Sequence, residues 1–190
     1  MATLGLIDKI KSVLTTPDKF FASVKKEEGY GEPVKYYAVT TLVNAIASIA
    51  LINFAAGMMP SVPYQMFAGS LGAAAYVILW VLGIVFSFVS VAVMHIFVYL
   101  FGGRNGYQQS YKAAAYGGTA ANLFSWVPYA GILASLYSLY LTVKGISVLQ
   151  NMSTARAAAV ILVPVFIAVV IAFVIAGAAV LALLGAQAAA

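Results

Sequence analysis

The chain has 190 residues, of which 64% are hydrophobic and only 8% are charged, and its mean hydropathy is +1.00. Soluble domains carry about a quarter charged residues, so this composition cannot cover a water-exposed surface, and it predicts an integral membrane protein. The formal charge of +5 does not indicate a nucleic-acid partner, because the basic residues flank apolar stretches and form no patch. Cysteine is absent, which excludes disulfides and thiolate chemistry.

Residues 1–33 form the polar part of the chain and contain all five carboxylates. Apolar residues recur at helical spacing between Leu4 and Leu14, and Thr16-Pro17-Asp18 has the N-cap, first-position proline and first-turn acid of a second short helix. This region is predicted to be cytoplasmic and amphipathic. It either lies in the lipid headgroup layer or packs under the transmembrane helices. The residues predicted to lie at the membrane interface are Phe20, Phe21, Lys25 and Lys26.

Residues 34–185 predict an all-α bundle of five transmembrane helices, followed by a short tail at 186–190. The apolar stretch 67–101 exceeds the roughly 20 residues that one crossing needs. Because no polar turn interrupts it, one long helix is favoured over a buried hairpin. Pro164 is a candidate kink in the last helix. The five spans are expected near 35–57, 67–101, 107–126, 131–149 and 157–184.

The basic residues fit this count, because all ten fall on one side of the bilayer when the chain crosses five times. The positive-inside rule makes that side cytoplasmic. The sequence therefore predicts a multi-pass protein with a cytoplasmic N-terminus and an external C-terminus. The ten residues are Lys9, Lys11, Lys19, Lys25, Lys26, Lys35, Arg104, Lys112, Lys144 and Arg156.

The ionisable residues do not indicate an enzyme. Every carboxylate precedes Pro33, so no acid is available in the predicted spans for a proton relay or a metal site. His95, the one histidine of the chain, is expected to make an interhelical hydrogen bond. We therefore predict no catalytic residue, no metal and no cofactor. The glycines around 102–106 are expected to form a tight turn and no phosphate site, because the strand of a dinucleotide site is missing.

Small residues recur every fourth position in the third and fourth spans, which is typical of closely packed membrane helices. This spacing predicts a central third span, through bundle packing or, alternatively, oligomerisation. Asn44, Asn53 and Asn122 are expected to hydrogen-bond between helices or to line a narrow polar cavity. The predicted packing residues are Ala113, Gly117, Gly118, Ala121, Ala134 and Ser138.

An ordered set of short motifs extends over most of the chain. It includes Pro17-x-x-Phe20-Phe21, Phe101-Gly102-Gly103, the Trp126-Val127-Pro128 turn and Val143-Lys144-Gly145. In this order the motifs resemble the Yip family, polytopic membrane proteins named for interacting with Ypt/Rab GTPases. Thr119-Ala120 departs from the family, where many members have a proline. The motif and turn residues are Gly102, Gly103, Gly106, Tyr107, Ser110, Tyr116, Pro128 and Gly145.

The resemblance implies a five-span fold, and the short N-terminal region is similar to the compact prokaryotic branch, which would place the chain in the cell membrane. It implies no settled activity, and a GTPase partner is not carried over. We expect a non-enzymatic protein that binds or organises partners at the bilayer, either another membrane protein or a second copy. The alternative is a channel or passive transporter for a small solute. A continuous polar cavity would favour that alternative.

Overall fold

The computed structural model describes the backbone of residues 5–58 and 73–188, and the side chains of 5–54 and 75–179. Every regular element in these ranges is a helix, as the composition predicts. The helices are α1 (Leu6–Thr15), α2 (Pro17–Val24), α3 (Gly31–Met58), α4 (Ala73–Leu100), α5 (Tyr107–Gly117), α6 (Thr119–Phe124), α7 (Ala130–Leu149) and α8 (Thr154–Ala188).

Four of the described helices are long and apolar enough to cross a membrane. The candidate spans are Gly31–Phe54 in α3, Ala75–Leu100 in α4, Ala130–Leu149 in α7 and Thr154–Ala179 in α8. They correspond to the first, second, fourth and fifth predicted spans. The beginning of the second predicted span, at 67–72, and most of the predicted loop before it lie outside the described residues. The helical assignment of α8 continues through Pro164.

The predicted third span is divided into α5 and α6 instead of forming one helix. The two meet at Gly118, whose ψ of −3° departs from helical geometry. Just beyond the break, the Thr119 hydroxyl bonds back to the Tyr116 carbonyl oxygen at 2.5 Å and accepts a hydrogen bond from Tyr36 at 2.7 Å. Neither helix alone is long enough to cross a bilayer. Four of the five predicted spans are therefore continuous helices among the described residues, and the third is not.

α5 and α6 lie at the centre of the described bundle, antiparallel to α7. Ala113 of α5 is opposite Gly145, where an added Cβ would lie 3.1 Å from the Ala113 Cα. One helical turn onward, Gly117 is opposite Thr142. Beyond the break, the Ala121 amide donates to the Ser138 hydroxyl at 2.7 Å. Small side chains thus allow the two backbones to approach closely.

Several helix ends lie together at one end of the bundle. The Asn105 side chain, between α4 and α5, donates to the Leu149 carbonyl oxygen at the end of α7, at 2.7 Å. The Gln108 side chain, at the start of α5, donates to the Gly29 carbonyl oxygen just before α3, also at 2.7 Å. The guanidinium of Arg156, in the first turn of α8, lies near Gly102. α1 and α2 also pack against this end.

The N-terminal helices pack against this end of the bundle. Phe20 and Phe21 are 2% and 0% exposed, and the Phe20 ring meets the Tyr116 ring edge-on, with centroids 5.1 Å apart. The Phe21 ring lies 2.9 Å from the position of a Cβ on Gly145. The interface assignment of these two phenylalanines is therefore corrected, because rings enclosed by α5 and α7 cannot enter a headgroup layer. The alternative of packing under the bundle describes them instead.

Candidate functional site

The loop that follows α2 is attached to the bundle by a row of side-chain donors on α5. We use the term cap for residues 5–30, which comprise α1, α2 and this loop. Gln109 donates to the Lys25 carbonyl oxygen at 3.0 Å, and Gln108 to the Gly29 carbonyl oxygen. The Lys112 ammonium donates to the carbonyl oxygens of Val24, at 3.0 Å, and Glu27. These donors satisfy loop carbonyl groups that no helix or strand pairs.

Lys112 acts as a C-cap for a helix that is distant in sequence. Val24 is the last residue of α2, and the final carbonyl groups of a helix have no partner within it. The Val24 carbonyl oxygen already accepts from the Glu27 amide at 3.1 Å, so the Lys112 ammonium is a second donor, and its charge also interacts favourably with the helix dipole. The Lys112 side chain is fully buried, so its charge depends on these contacts.

A second buried cation, Lys9 of α1, joins the cap to the start of α3. Its ammonium contacts Glu27 at 3.2 Å and Glu32 at 2.8 Å, and Lys9 is only 3% exposed. Glu27 also accepts a hydrogen bond from the Tyr116 hydroxyl at 2.9 Å. Because removing a charge from water is costly, a buried lysine needs such partners. The ion pairs and Tyr116 connect α1, the cap loop, α3 and α5.

The cap also contacts α7. The Lys25 ammonium donates to the Val148 carbonyl oxygen at 3.1 Å and to the side chain of Asn151, just after the end of that helix. Lys144 pairs with both carboxylate oxygens of Asp18 at 3.1 Å. These contacts show that Lys25 is engaged with α7. Lys26, its predicted neighbour at the membrane interface, is exposed.

A hydrogen-bonded network surrounds the turn between α4 and α5. Gln150 is 2% exposed; its side-chain amide donates to the Gly106 carbonyl oxygen at 2.9 Å and the Ser110 hydroxyl at 3.0 Å, while its oxygen accepts from the Asn105 amide. Ser110 also hydrogen-bonds to His95 of α4 at 2.8 Å. The turn requires glycine at positions 102 and 106, where φ is +98° and +84°. The network thus connects α4, α5 and α7.

The turn, the buried phenylalanines and the close contact at Gly145 involve the residues that carry the resemblance described above. A family model, the Yip1 domain, matches residues 11–177. The chain belongs to the Yip1 domain family. No curated protein and no solved structure gives a significant match.

The remaining predicted positions of this Yip1 domain have separate roles. Asn44 donates to the Ala121 carbonyl oxygen at 3.3 Å and the Ser125 hydroxyl at 2.7 Å, and Asn122 donates to Thr40, so both connect α3 with α6. Asn53 donates to the Ile49 carbonyl oxygen of its own helix at 2.8 Å. Pro128 lies in the exposed turn between α6 and α7, and Ala134 is half-buried in α7.

The central residues of the Yip1 cap interface were not identified as site residues from sequence. The sequence places Lys112 only among the ten basic residues of the cytoplasmic side, and it places Lys9, Glu27 and Glu32 in the polar segment 1–33. Two features of the sequence nevertheless indicate that these residues are paired. A lysine within an apolar stretch needs a partner, and every carboxylate of the chain precedes Pro33. Pairing between the N-terminal segment and the bundle follows from these two facts.

Proposed function

We propose that this Yip1 domain protein is a non-enzymatic membrane scaffold that binds or organises partners through its cap. One observation carries the proposal: the α5 donor row fixes the cap loop, including its exposed residues Lys26 and Glu28, in one orientation on the bundle. A charged surface held rigidly against membrane helices is suited to binding a protein at the bilayer, because little ordering entropy remains to oppose binding.

The channel alternative is not favoured. Buried polar side chains among the described residues hydrogen-bond to one another or to the backbone. Gln109 Oε1 is the one buried side-chain nitrogen or oxygen atom there without a hydrogen-bond partner. The interior positions of α5 are filled by packed side chains, including Tyr111 and Tyr116, which are 1% and 0% exposed. A conducting path needs polar groups that face water, whereas the buried polar side chains described here hydrogen-bond within the protein.

We also propose the five-crossing topology for this scaffold. α4 and α7 end on the same side of the bundle, because Asn105 bonds the end of α7. α5 and α6 must therefore carry the chain away from that side before α7 returns. Together they cover the length of α7, from Gly145 opposite Ala113 to Gly131 against Ser125. The broken helix α5–α6 then makes the third crossing beside α7, with the cap and all ten basic residues on the cytoplasmic side.

Photo-crosslinking in the native membrane tests the scaffold proposal. A photoreactive residue replaces Lys19 or Lys26, which are exposed on the cap, and Leu133, which is 70% exposed on α7, serves as a lipid-facing control. We expect a discrete adduct from both cap positions and none from Leu133. An adduct of twice the chain mass identifies a second copy as the partner. Equal labelling at all three positions, or none at the cap, contradicts the proposal.

Solute flux provides the complementary test. The purified chain is reconstituted in liposomes, and release of small neutral and charged solutes is compared with that from protein-free vesicles. The scaffold proposal predicts equal release rates. Faster release, blocked when Tyr111 is replaced by a residue that alters the packed interior, supports the channel alternative.

A further inference from the structure

A cavity of about 230 Å³ lies between α1 and the first turns of α3, beside the buried Lys9. Its α3 residues lie within roughly the first two and a half turns of the candidate span Gly31–Phe54. Lipid headgroups surround the first turns of a membrane span, so the cavity opens at the level of the headgroups. Its polar and apolar walls are formed by Gly5, Leu6, Lys9, Glu32, Lys35, Tyr36 and Val39.

The two lysines of this cavity differ in whether a carboxylate is paired with them. Lys9 is neutralised by Glu27 and Glu32. Lys35 is exposed, and its ammonium makes none of the hydrogen bonds or ion pairs found among the described side chains. Glu32 uses Oε2 to bind Lys9, and its side chain is 47% exposed, so Oε1 remains open. The cavity therefore presents an exposed cation, Lys35, and a partly exposed carboxylate, Glu32, which interact electrostatically but form no direct ion pair.

The rim adds a second acid and an apolar edge. Asp8 Oδ2 lies 3.3 Å from the position of a Cβ on Gly5, so this carboxylate is adjacent to the cavity wall. Leu6 is 39% exposed, and Val39 lies two turns into α3. Apolar side chains next to charged groups at this depth match a molecule whose polar head continues into hydrocarbon.

We propose that this cavity binds the headgroup of a phospholipid that carries a primary amine, of the phosphatidylethanolamine type. The phosphodiester pairs with the Lys35 ammonium, and the lipid ammonium donates to Glu32 Oε1, so both contacts are charge-assisted hydrogen bonds. The glycerol backbone lies against Leu6 and Val39. This site does not depend on the proposed partner-binding role of the cap.

Two other lipid classes fit the cavity less well. A lipid with a net negative headgroup would place its charge beside Glu32 and Asp8, with Lys35 alone to compensate. A choline headgroup has three methyl groups on nitrogen and no N–H to donate, so Glu32 Oε1 would receive no hydrogen bond from the lipid. The amine and the phosphate are therefore both required for recognition.

Native mass spectrometry of the full chain tests the site. The protein is transferred to detergent micelles that contain equal amounts of phosphatidylethanolamine, phosphatidylcholine and phosphatidylglycerol with identical acyl chains. We expect one ethanolamine-lipid adduct per chain, retained in roughly fivefold excess over either competitor, as a single net hydrogen bond provides. Equal retention of the three lipids, or preference for the glycerol lipid, overturns the proposal.

Variants separate the two contacts. Lys35→Gln should reduce the ethanolamine-lipid adduct roughly tenfold, whereas Lys26→Gln, at an exposed lysine of the cap loop, should leave it unchanged. Glu32→Gln should reduce the preference for ethanolamine over choline, and thermal unfolding of this variant reports whether its pairing with Lys9 is needed for folding. If Glu32→Gln fails to fold, the amount of ethanolamine-lipid adduct in Lys35→Gln still tests the proposal. An unchanged adduct in Lys35→Gln overturns the proposal.

Discussion

Gly117 of α5 lies directly against the backbone of Thr142 in α7. A Cβ atom added to Gly117 would be 2.7 Å from the Thr142 Cα and 2.8 Å from its amide nitrogen. Both neighbours are backbone atoms of a helix that also contacts α2, α6 and α8, so they cannot move aside independently. The close approach of α5 to α7 here therefore depends on the absence of a side chain at Gly117.

Gly117→Ala should destabilise the bundle by about 1–3 kcal/mol, the typical cost of overpacking. The matched control is Gly83→Ala in α4, where an added Cβ meets nothing within 4 Å. There alanine should be neutral or slightly stabilising, because it raises helix propensity. Thermal unfolding of both variants in detergent checks the difference. Equal midpoints for Gly117→Ala and the parent would show that α5 and α7 do not need this contact.

The small-residue spacing predicts a common helix face for these residues, but it does not identify the helix that packs against this face. Positions four apart on a helix share a face, so Ala113, Gly117 and Ala121 were expected to line up, and they lie opposite Gly145, Thr142 and Ser138. The break at Gly118 was not predictable in the same way. It is adjacent to a tertiary hydrogen bond between Tyr36 and Thr119, which are 83 residues apart, and no local pattern predicts that contact.

The arrangement of the cap could be predicted only in part. The sequence contains the apolar face of α1 and α2 and the proline that begins α2, and both helices form. The local sequence does not determine whether this apolar face packs against lipid or against other helices of the protein. Phe21 is accommodated because Gly145 leaves space for its ring, and no local pattern records this pairing between distant residues.

Lys112→Met should release the cap loop without changing the bundle. The substitution keeps an unbranched side chain of similar length but leaves the Glu27 carbonyl oxygen without its donor, while the Val24 carbonyl oxygen keeps only the Glu27 amide. The cost of each buried, unsatisfied group is about 1–3 kcal/mol. We expect faster hydrogen exchange of the amides at 24–29, with α7 and α8 unchanged.

Lys26→Met is the control for this measurement, because Lys26 is exposed. Its exchange pattern should match that of the parent. If Lys112→Met accelerates exchange uniformly along the chain, or not at all, then Lys112 does not hold the loop in the way its contacts indicate.

The two lysines that pair with acids of the cap region should differ in their contribution to stability. Lys9 is 3% exposed and contacts two carboxylates, whereas the Lys144–Asp18 pair has side chains 24% and 61% exposed. Lys144→Met should therefore have little effect on stability, as is typical of surface pairs. Lys9→Met should cost more, because it leaves Glu27 partly buried without its cation.

A double-mutant cycle of Lys9→Met and Glu27→Gln measures this pair directly. We expect a coupling free energy of about 0.5–3 kcal/mol that persists in 1 M salt, since buried pairs are weakly screened. The corresponding cycle for Lys144 and Asp18 should give a smaller coupling that salt removes. Equal couplings for the two pairs would mean that burial of Lys9 does not strengthen its interactions.

The proposed orientation predicts opposite locations for two sites in the last third of the chain. A reporter fused after Ala190 should lie outside the cell. An epitope inserted in the turn at 151–154 should lie in the cytosol, because that turn adjoins the cap at Lys25 and Asn151. Protease protection in sealed membranes of both orientations distinguishes the sides. The same side for both sites would contradict an odd number of crossings.

Whether α5–α6 completes its crossing is tested at the turn before α7. The Ser125 hydroxyl, just after α6, meets Asn44, thirteen residues after the start of α3. That separation corresponds to a rise of roughly 20 Å along α3, while the hydrocarbon core is about 30 Å thick. The crossing is therefore complete only if the turn that follows, with Tyr129 at 90% exposure, reaches water.

The chain has no cysteine, so Tyr129→Cys introduces a single reactive site. Five crossings predict that a membrane-impermeant maleimide labels it from outside intact cells. Ser153→Cys, in the α7–α8 turn, should react only after permeabilisation, and Leu133→Cys, on the lipid-facing surface of α7, should stay unlabelled in both cases. If Tyr129→Cys behaves like Leu133→Cys, α5–α6 and α7 form a hairpin that ends within the bilayer. The external C-terminus would then remain, with three crossings by α3, α4 and α8.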